Sequence, residues 1–255
     1  MHLIFDTETT GLPLRDKLLW HRDQPHVMQL AALLLDEGFA ERARLNVLLQ
    51  LPAGVAPHPK AVEAHGITAA DCARNGIEPE EAHRRLADMI EHAHFVVAHN
   101  FAFDSKLLMI SALRYKVPFD LAGREHVCTM ERLTPIMQLA SKYSGKYKWP
   151  NLQEAHKFCT GAGFDGAHDA LSDVRATAAV WRWLHEGGRE RLSAAKAATA
   201  RPVDLPSSVD LSSSVDLSSS VALPSSVALP SSVTLAAEQR VTFCIPIAEV
   251  RATTL

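Results

Sequence analysis

Two carboxylates near the start of the chain, Asp6 and Glu8, are the first residues whose spacing suggests chemistry. Residues 2–5 are apolar and run into the Thr/Gly-rich stretch 9–11, which predicts a first strand ending at a turn. Side chains two residues apart share one face of a strand, so the carboxylates would lie about 7 Å apart and could share a divalent cation. Backbone amides of the turn would approach a phosphate or a terminal sugar. A solvated strand edge would carry the same Asp-x-Glu pattern.

Asp104 is the third candidate, and it lies where two predicted elements meet. The apolar residues 95–98 predict a buried strand, and residues 103–114 predict a helix soon after it. This order places Asp104 near the helix start and close to the end of the sheet. An N-cap is the alternative interpretation, because Asp is a favoured cap residue.

Asp173 is the fourth candidate, in the first turns of the last predicted helix, residues 169–184. It would point toward the sheet, while His168 remains on the preceding loop and could swing over the same site. The ordinary pKa of histidine, about 6.5, suits proton transfer near neutral pH. A surface position is the alternative for a loop histidine, so its spacing to Asp173 carries more weight than its presence.

These residues need a scaffold, and the first 187 residues alternate strand and helix patterns typical of a layered α/β domain. Further strands are predicted at residues 27–35 and 44–51, joined by a hairpin at Gly38. A helix is predicted to begin at Pro79, and another over residues 151–158 opens with an Asn-x-x-Glu capping box.

The composition is that of an ordinary soluble globular protein, with 47% hydrophobic and 22% charged residues among 255. The net charge of −3 argues against a protein that coats nucleic acid, because that binding mode needs many Lys and Arg residues. It is compatible with an enzyme that grips one strand end, where metal ions supply positive charge. The four cysteines are scattered, no apolar run approaches the ~18 residues of a membrane span, and no signal peptide is recognised. We therefore expect a reduced, cytoplasmic protein that does not enter membranes.

The chain changes character after residue 187. We assign residues 1–187 to the α/β domain, 188–202 to a linker, 203–235 to a repeat and 236–255 to a C-terminal segment. The repeat places Val every six residues, Leu two positions later and many Ser and Pro between, so it can bury little apolar area and is predicted to be disordered. A parallel β-helix is the alternative. The C-terminal segment is either a docking peptide or a frayed end.

One segment of the α/β domain interleaves three lysines with three aromatic residues: Lys142, Tyr143, Lys146, Tyr147, Lys148 and Trp149. Aromatic stacking combined with positive charge suits single-stranded nucleic acid. An ordinary solvated loop is the alternative.

Three motifs, in this order along the chain, resemble those of the DnaQ-like, DEDDh-type exonucleases, the family that contains the proofreading subunit of bacterial replicative polymerases. They are Phe-Asp-Thr-Glu-Thr-Thr-Gly at 5–11, Ala-His-Asn-Phe-Ala-Phe-Asp at 98–104 and Ala-His-Asp-Ala-Leu-Ser-Asp-Val at 167–174. Ala-His-Gly-Ile-Thr at 64–68 is also like this family, and the resemblance covers about residues 1–185. It implies an α/β, ribonuclease-H-like fold, a mixed five-stranded sheet flanked by helices, followed here by a low-complexity C-terminal tail.

The resemblance also implies roles, residue by residue. Four residues match the metal carboxylates of the family: Asp6, Glu8, Asp104 and Asp173. His168, five residues before Asp173, matches the catalytic histidine, whereas a Tyr-type member would carry Tyr in place of Asp169. Contacts with the substrate are implied for Thr9, Leu12, His65, Asn100 and Phe103.

The activity implied by the resemblance is a 3′→5′ exonuclease with two Mg²⁺ or Mn²⁺ ions, His168 as the general base and nucleoside 5′-monophosphates as products. The leading hypothesis is hydrolysis of single-stranded or frayed DNA 3′ ends in proofreading or repair. A DNA polymerase or sliding clamp would bind through the C-terminal tail. An RNA-trimming exoribonuclease of the same superfamily and a noncatalytic nucleic-acid-binding or partner-binding module are the alternatives. The intact carboxylates and histidine weigh against the noncatalytic module.

Overall fold

Five strands form one mixed sheet in the computed structural model, which describes residues 1–143, 145–188 and 190. The strands are β1 His2–Thr9, β2 Val27–Leu35, β3 Glu41–Leu48, β4 Phe95–Ala98 and β5 Glu125–Cys128. Their order across the sheet is β3-β2-β1-β4-β5. β2 is antiparallel to β1 and β3, whereas β4 is parallel to β1 and β5. This arrangement confirms the predicted mixed five-stranded sheet.

Helices flank this sheet in the same part of the chain: α1 Pro59–His65, α2 Ala69–Asn75, α3 Pro79–Glu91, α4 Phe101–Tyr115, α5 Thr129–Met137, α6 Leu152–Thr160 and α7 Ala170–His185. None of the helices described here is both long and apolar enough to cross a membrane. The predicted repeat at 203–235 and the C-terminal segment at 236–255 lie outside the described residues.

Side chains along β1 alternate between two cores on opposite faces of the sheet. Leu3 and Phe5 are buried in the core that also contains residues of α3 and α4. Ile4 is buried on the other face, where Val174 and Trp181 of α7 pack. α4 and α7 therefore cover opposite faces of the central strand.

β1 extends beyond its parallel neighbour at the end that carries the two carboxylates. Only His2 to Ile4 of β1 pair with β4, whereas β2 pairs with β1 as far as Thr9. After Ala98 the chain turns directly into α4. The start of α4 therefore lies beside the part of β1 that β4 does not cover.

Several predicted strand boundaries are wrong by a few residues. The first strand continues past residue 5 to Thr9, because β2 pairs with it throughout. The strand predicted over 44–51 is β3, which begins at Glu41 and ends at Leu48. It starts early because the turn between Asp36 and Ala40 is closed by a backbone hydrogen bond of 2.9 Å.

The starts of three helices are set by residues just before them. α4 begins at Phe101 because Asn100 adopts a left-handed conformation, φ 70°, and turns the chain at once. Asn100 is therefore the N-cap, and the N-cap interpretation of Asp104 is wrong. The predicted capping box of Asn151 and Glu154 is confirmed at the start of α6. α7 begins one residue later than predicted, with Asp169 as its N-cap.

Candidate active site

Asp6 and Glu8 lie on one face of β1 at the end of the sheet. Because side chains alternate along a strand, they share the face of Ile4, which α7 covers. The pairing between β1 and β2 shifts register between Glu8 and Thr9. Irregularities of this kind are frequent beside active sites, since they change the direction of a side chain.

Asp104 reaches the same strand from the opposite face of the sheet. The backbone N–H of Thr7 donates to Asp104 Oδ1 at 3.1 Å, and the Thr7 hydroxyl donates to the same oxygen at 2.8 Å. Asp104 is only 3% exposed. Thr7, between the two carboxylates of the first motif, thus fixes a third carboxylate beside them. Sequence analysis missed this role of Thr7. The signal was the position of a threonine between Asp6 and Glu8, which directs its side chain to the other face of the strand.

Asp173 and His168 come together at the start of α7. The backbone N–H of His168 donates to Asp173 Oδ2 at 3.2 Å. The other oxygen, Oδ1, is buried and has no hydrogen-bond partner. The loop reaches this position through Gly166, φ 76°, and His168, φ 68°. Positive φ is costly for histidine, so the folded loop holds His168 in a strained conformation beside the carboxylate.

Three of these side chains form a group that could hold a metal ion. Glu8, His168 and Asp173 each offer one ligand atom, and the three atoms lie within 4.8 Å of one another. The unpartnered Oδ1 of Asp173 fits a cation site, because a buried carboxylate oxygen without a donor is unfavourable.

The electrostatics of the four carboxylates also fit a cation. Burial, followed by the neighbouring Asp104 and Asp173, raises the pKa of Asp6 well above its usual value. Burial and the same two neighbours raise the pKa of Glu8 to about 8. Burial raises the pKa of Asp104 despite the hydrogen bonds from Thr7, and it raises the pKa of Asp173 as well. A divalent cation would relieve this repulsion, and hard cations prefer carboxylate oxygens.

Gln29 connects the sheet to the start of α7, and sequence analysis did not single it out. It lies on β2 directly opposite Glu8 and is buried. Its Nε2 donates to Asp169 Oδ1 at 3.0 Å, and its Oε1 accepts from the backbone N–H of Ala170 at 3.2 Å. The first turn of α7, which carries Asp173, is therefore held in register with Glu8.

Two of the predicted substrate-binding residues contact each other near the site. His65 Nδ1 accepts from the backbone N–H of Ile67 at 3.0 Å, so the proton is on Nε2, which donates to the carbonyl oxygen of Thr9 at 3.1 Å. The charge of His168 contributes to lowering the pKa of His65, after the larger effect of burial. The hydrogen bond to Thr9 fixes His65 beside the end of β1 that carries Glu8.

The other predicted substrate-binding residues differ in exposure. Leu12 is 76% exposed, on the segment that leaves β1. Asn100 is half-buried at the start of α4, and Phe103 packs against the core under that helix. The amide of Thr10, expected to approach a phosphate, donates instead to the carbonyl oxygen of His26 at 2.9 Å. That amide is occupied because the pairing of β1 and β2 continues into the turn.

Comparison with known proteins identifies the family. The family model RNase_T, described as an exonuclease, matches residues 3–181. Those residues include the four carboxylates and His168. A comparison with curated proteins found no match.

Solved structures of exonuclease I share the fold. The structure of the E. coli enzyme with a dT13 oligonucleotide matches with a TM-score of 0.58 and 20% identity, covering 76% of this chain and 42% of the other. A zinc-bound E. coli complex with single-stranded DNA gives 0.57 and 18%, covering 77% and 42%. Exonuclease I with the inhibitor BCBP gives 0.58 and 16%, covering 79% and 46%. The chain thus spans less than half the length of these proteins.

Proposed function

The chain belongs to this exonuclease family, and we propose that it removes nucleotides stepwise from the 3′ end of single-stranded or frayed DNA, releasing nucleoside 5′-monophosphates. The observation that carries the proposal is the convergence of Asp6, Glu8, Asp104 and Asp173 with His168 at one end of the sheet. This convergence supports the sequence-based site at every one of its five positions.

The unpartnered Asp173 oxygen and the repulsion among the four carboxylates support a divalent-cation mechanism, in which the carboxylates would hold Mg²⁺ or Mn²⁺. When bound, two such ions would supply Lewis acidity and neutralise charge on the phosphate and on the departing 3′ oxygen. Zn²⁺ would also fit the group of Glu8, His168 and Asp173, but it would take the His168 nitrogen as a ligand and so occupy the proposed general base.

The chain itself supplies position and proton transfer. Thr7 keeps Asp104 in place by two hydrogen bonds, and Gln29 keeps the first turn of α7 in place. His168 is exposed on its loop, so its ring can reach a water molecule beside a bound phosphate. We assign it the role of general base, taking the proton of the attacking water.

The preference for DNA rests on solved structures of exonuclease I that hold DNA oligonucleotides, including the two described above. We extend this preference to the present chain as a proposal, with proofreading or repair as the process served. A polymerase or sliding clamp would bind outside the α/β domain, through the C-terminal tail.

The test is digestion of 5′-labelled single-stranded DNA and RNA oligonucleotides of the same sequence with Mg²⁺, Mn²⁺ or EDTA. We expect metal-dependent shortening of DNA from the 3′ end, absent in Asp6→Asn. Asp88→Asn, an exposed acidic residue on α3, is the matched control and should retain full activity. Faster shortening of RNA would replace the DNA proposal with the exoribonuclease alternative. No shortening with either metal would favour the noncatalytic module.

A further inference from the structure

The segment that interleaves lysines and aromatic residues presents all of them to solvent. The six residues are Lys142, Tyr143, Lys146, Tyr147, Lys148 and Trp149, and we call residues 139–150 the basic aromatic hairpin. Tyr143 is 76%, Tyr147 50% and Trp149 63% exposed. Large aromatic side chains grouped on a surface usually mark a contact with another molecule.

Backbone contacts hold the two arms of the hairpin together on either side of residue 144. Ala140 forms an antiparallel bridge with Tyr147, and the N–H of Lys148 donates to the carbonyl oxygen of Leu139 at 3.0 Å. Pro150, at its end, is buried. The aromatic rings are therefore presented by an anchored segment.

The anchor places the hairpin at the same end of the sheet as the carboxylates. His99 Nε2 donates to the carbonyl oxygen of Pro150 at 3.1 Å, while His99 Nδ1 accepts from the Thr129 hydroxyl at 2.9 Å. His99 directly follows β4, and Thr129 directly follows β5. Because β4 and β5 are parallel to β1, their carboxyl ends lie at the end of the sheet that carries Asp6 and Glu8.

The charge of the hairpin suits a polyanion. Residues 138–150 contain three lysines and no acidic residue, in a chain whose net charge is −3. Lys148 pairs with Glu154 on α6, which leaves Lys142 and Lys146 for phosphate groups. Exposed rings beside free lysines match the chemistry of unpaired bases on a charged backbone.

We propose that the basic aromatic hairpin binds the single strand on the 5′ side of the nucleotide being removed. Bases stack on Tyr143, Tyr147 and Trp149, while Lys142 and Lys146 contact phosphates. The proposal rests on the proposed exonuclease function and adds the surface that distinguishes long single strands from short ones. A base-paired segment cannot stack in this way, so the surface selects unpaired strands.

The test uses the full chain with two hairpin variants, Tyr147→Ala/Trp149→Ala and Lys142→Ala/Lys146→Ala. The length preference is the ratio of kcat/KM for a 15-nucleotide strand to kcat/KM for a trinucleotide. Because loss of one base stack weakens binding about tenfold, we expect the aromatic variant to lower this ratio by about tenfold or more. The lysine variant should also reduce the slope of log affinity against log salt by about 1.4, for two phosphate contacts on a single strand.

Two controls separate stacking from general damage. Tyr147→Phe/Trp149→Phe keeps the rings and should restore most of the length preference. Arg182→Ala removes an exposed positive charge near the far end of α7, where Arg182 lies 5.7 Å from the Phe39 ring, and should behave as the unaltered protein. Thermal denaturation of every variant confirms that folding is retained.

Binding is measured separately from catalysis, by fluorescence anisotropy of a labelled 15-nucleotide strand with Asp6→Asn as the background. An unchanged length preference together with unchanged anisotropy in both hairpin variants would overturn the hairpin proposal, while digestion by the unaltered protein would leave the exonuclease proposal standing. Equal losses for the 15-nucleotide strand and for a blunt duplex of the same length would also overturn it, because stacking requires unpaired bases.

Discussion

Asp173 carries the local geometry and charge that favour a cation in the proposed site. Its Oδ2 accepts the N–H of His168, while its Oδ1 is buried without a partner. Burial raises its pKa, and its charge raises those of Asp6 and Glu8. The group of carboxylates is therefore a source of repulsion that only a bound cation or a bound proton can remove.

The first prediction concerns metal binding to the folded protein. Mn²⁺ should raise the thermal unfolding midpoint of the unaltered chain relative to EDTA, because a ligand that binds only the folded state stabilises it. Asp173→Asn should unfold at a higher temperature than the unaltered chain in EDTA and gain less from Mn²⁺, since repulsion and a ligand are both removed. Differential scanning fluorimetry measures this, with Asp88→Asn as the control. The same Mn²⁺ shift in Asp173→Asn and in the unaltered chain would contradict the assignment of Asp173.

The second prediction concerns Gln29, whose amide holds Asp169 and Ala170 in register with Glu8. Gln29→Leu leaves these groups without their partner and lets the start of α7 move. Because small displacements of catalytic groups are costly, we expect kcat to fall about ten- to a hundredfold on a short oligonucleotide. KM should change less.

Gln50→Leu is the matched control for this measurement, because Gln50 is exposed after the end of β3 and its side chain donates to the Gly76 carbonyl oxygen. A Gln29→Leu enzyme with unaltered kcat would show that α7 is positioned by its core contacts alone.

At the scale of secondary structure, α4 and α7 deliver their carboxylates in the same way. Asp104 is the fourth residue of α4 and Asp173 the fourth of α7, and each helix starts at the carboxylate end of β1. The positive end of each helix dipole is therefore directed toward the site. The two helices cover opposite faces of the sheet, so the carboxylates approach β1 from both sides.

The segment between β1 and β2 depends on contacts from α4. Arg114 donates to the carbonyl oxygens of Pro25 at 2.9 Å and Gln24 at 2.6 Å. The buried Gln24 side chain in turn accepts from the N–H of Leu14 and donates to its carbonyl oxygen, both at 3.0 Å. Residues 11–26, which include Leu12, are thereby held as a folded loop.

The third prediction is that Arg114→Ala loosens this loop. Trypsin should then cut after Lys17 or Arg22 faster than in the unaltered chain, because carbonyl groups that lose their donor leave the loop free to open. Limited proteolysis followed by mass spectrometry measures the rate, and Arg84→Ala on α3 is a control. Equal cleavage rates in the two variants would mean that Gln24 alone holds the loop.

Sequence patterns did not predict four elements of at most nine residues each: β5, α1, α2 and α5, the last of which is interrupted by Pro135. β5 contains only one buried residue, Val127, and is defined by pairing with β4. α1 and α2 have seven residues each, too few for a helical period to be recognised. The longer or more apolar elements, such as α3 and β2, carry a period of their own and were predicted close to their bounds.

For the whole molecule, buried histidines make stability depend on pH, and His2 and His83 are two of the three whose pKa burial lowers to about 4. Burial, with His185, lowers the pKa of His2 to about 4, and burial lowers that of His83 to about 4. The charges around them are His185, the N-terminus, Glu37 and His94 for His2, and Glu80 for His83. Between pH 6.5 and 4 the unfolded chain binds protons that the folded chain does not, so these histidines reduce stability as pH falls. The raised pKa values of the site carboxylates act in the opposite direction when no metal is bound.

The fourth prediction isolates the contribution of His83 to the pH dependence of stability by comparing His83→Leu with the unaltered chain. Acidification from pH 7.5 to pH 5 lowers the free energy of unfolding of the unaltered chain in part through His83. In His83→Leu this decrease should be smaller by about 2 kcal/mol. Urea denaturation at the two pH values measures it, with exposed His92→Ala as the control. Identical pH dependence in His83→Leu and the unaltered chain would show that His83 takes up a proton in the folded state.

Sequence patterns were enough to propose Asp6, Glu8, Asp104, Asp173 and His168 as the site and to predict the layered α/β class that the structure has. Local spacing carries this information because side-chain type and strand or helix period are properties of short segments. The tertiary structure alone decided how the segments meet. Thr7 holds a carboxylate 97 positions away, and Gln29 holds an N-cap 140 positions away. Such contacts leave no periodic signal, because the pattern of residues around each partner is the same whether or not the other partner is there.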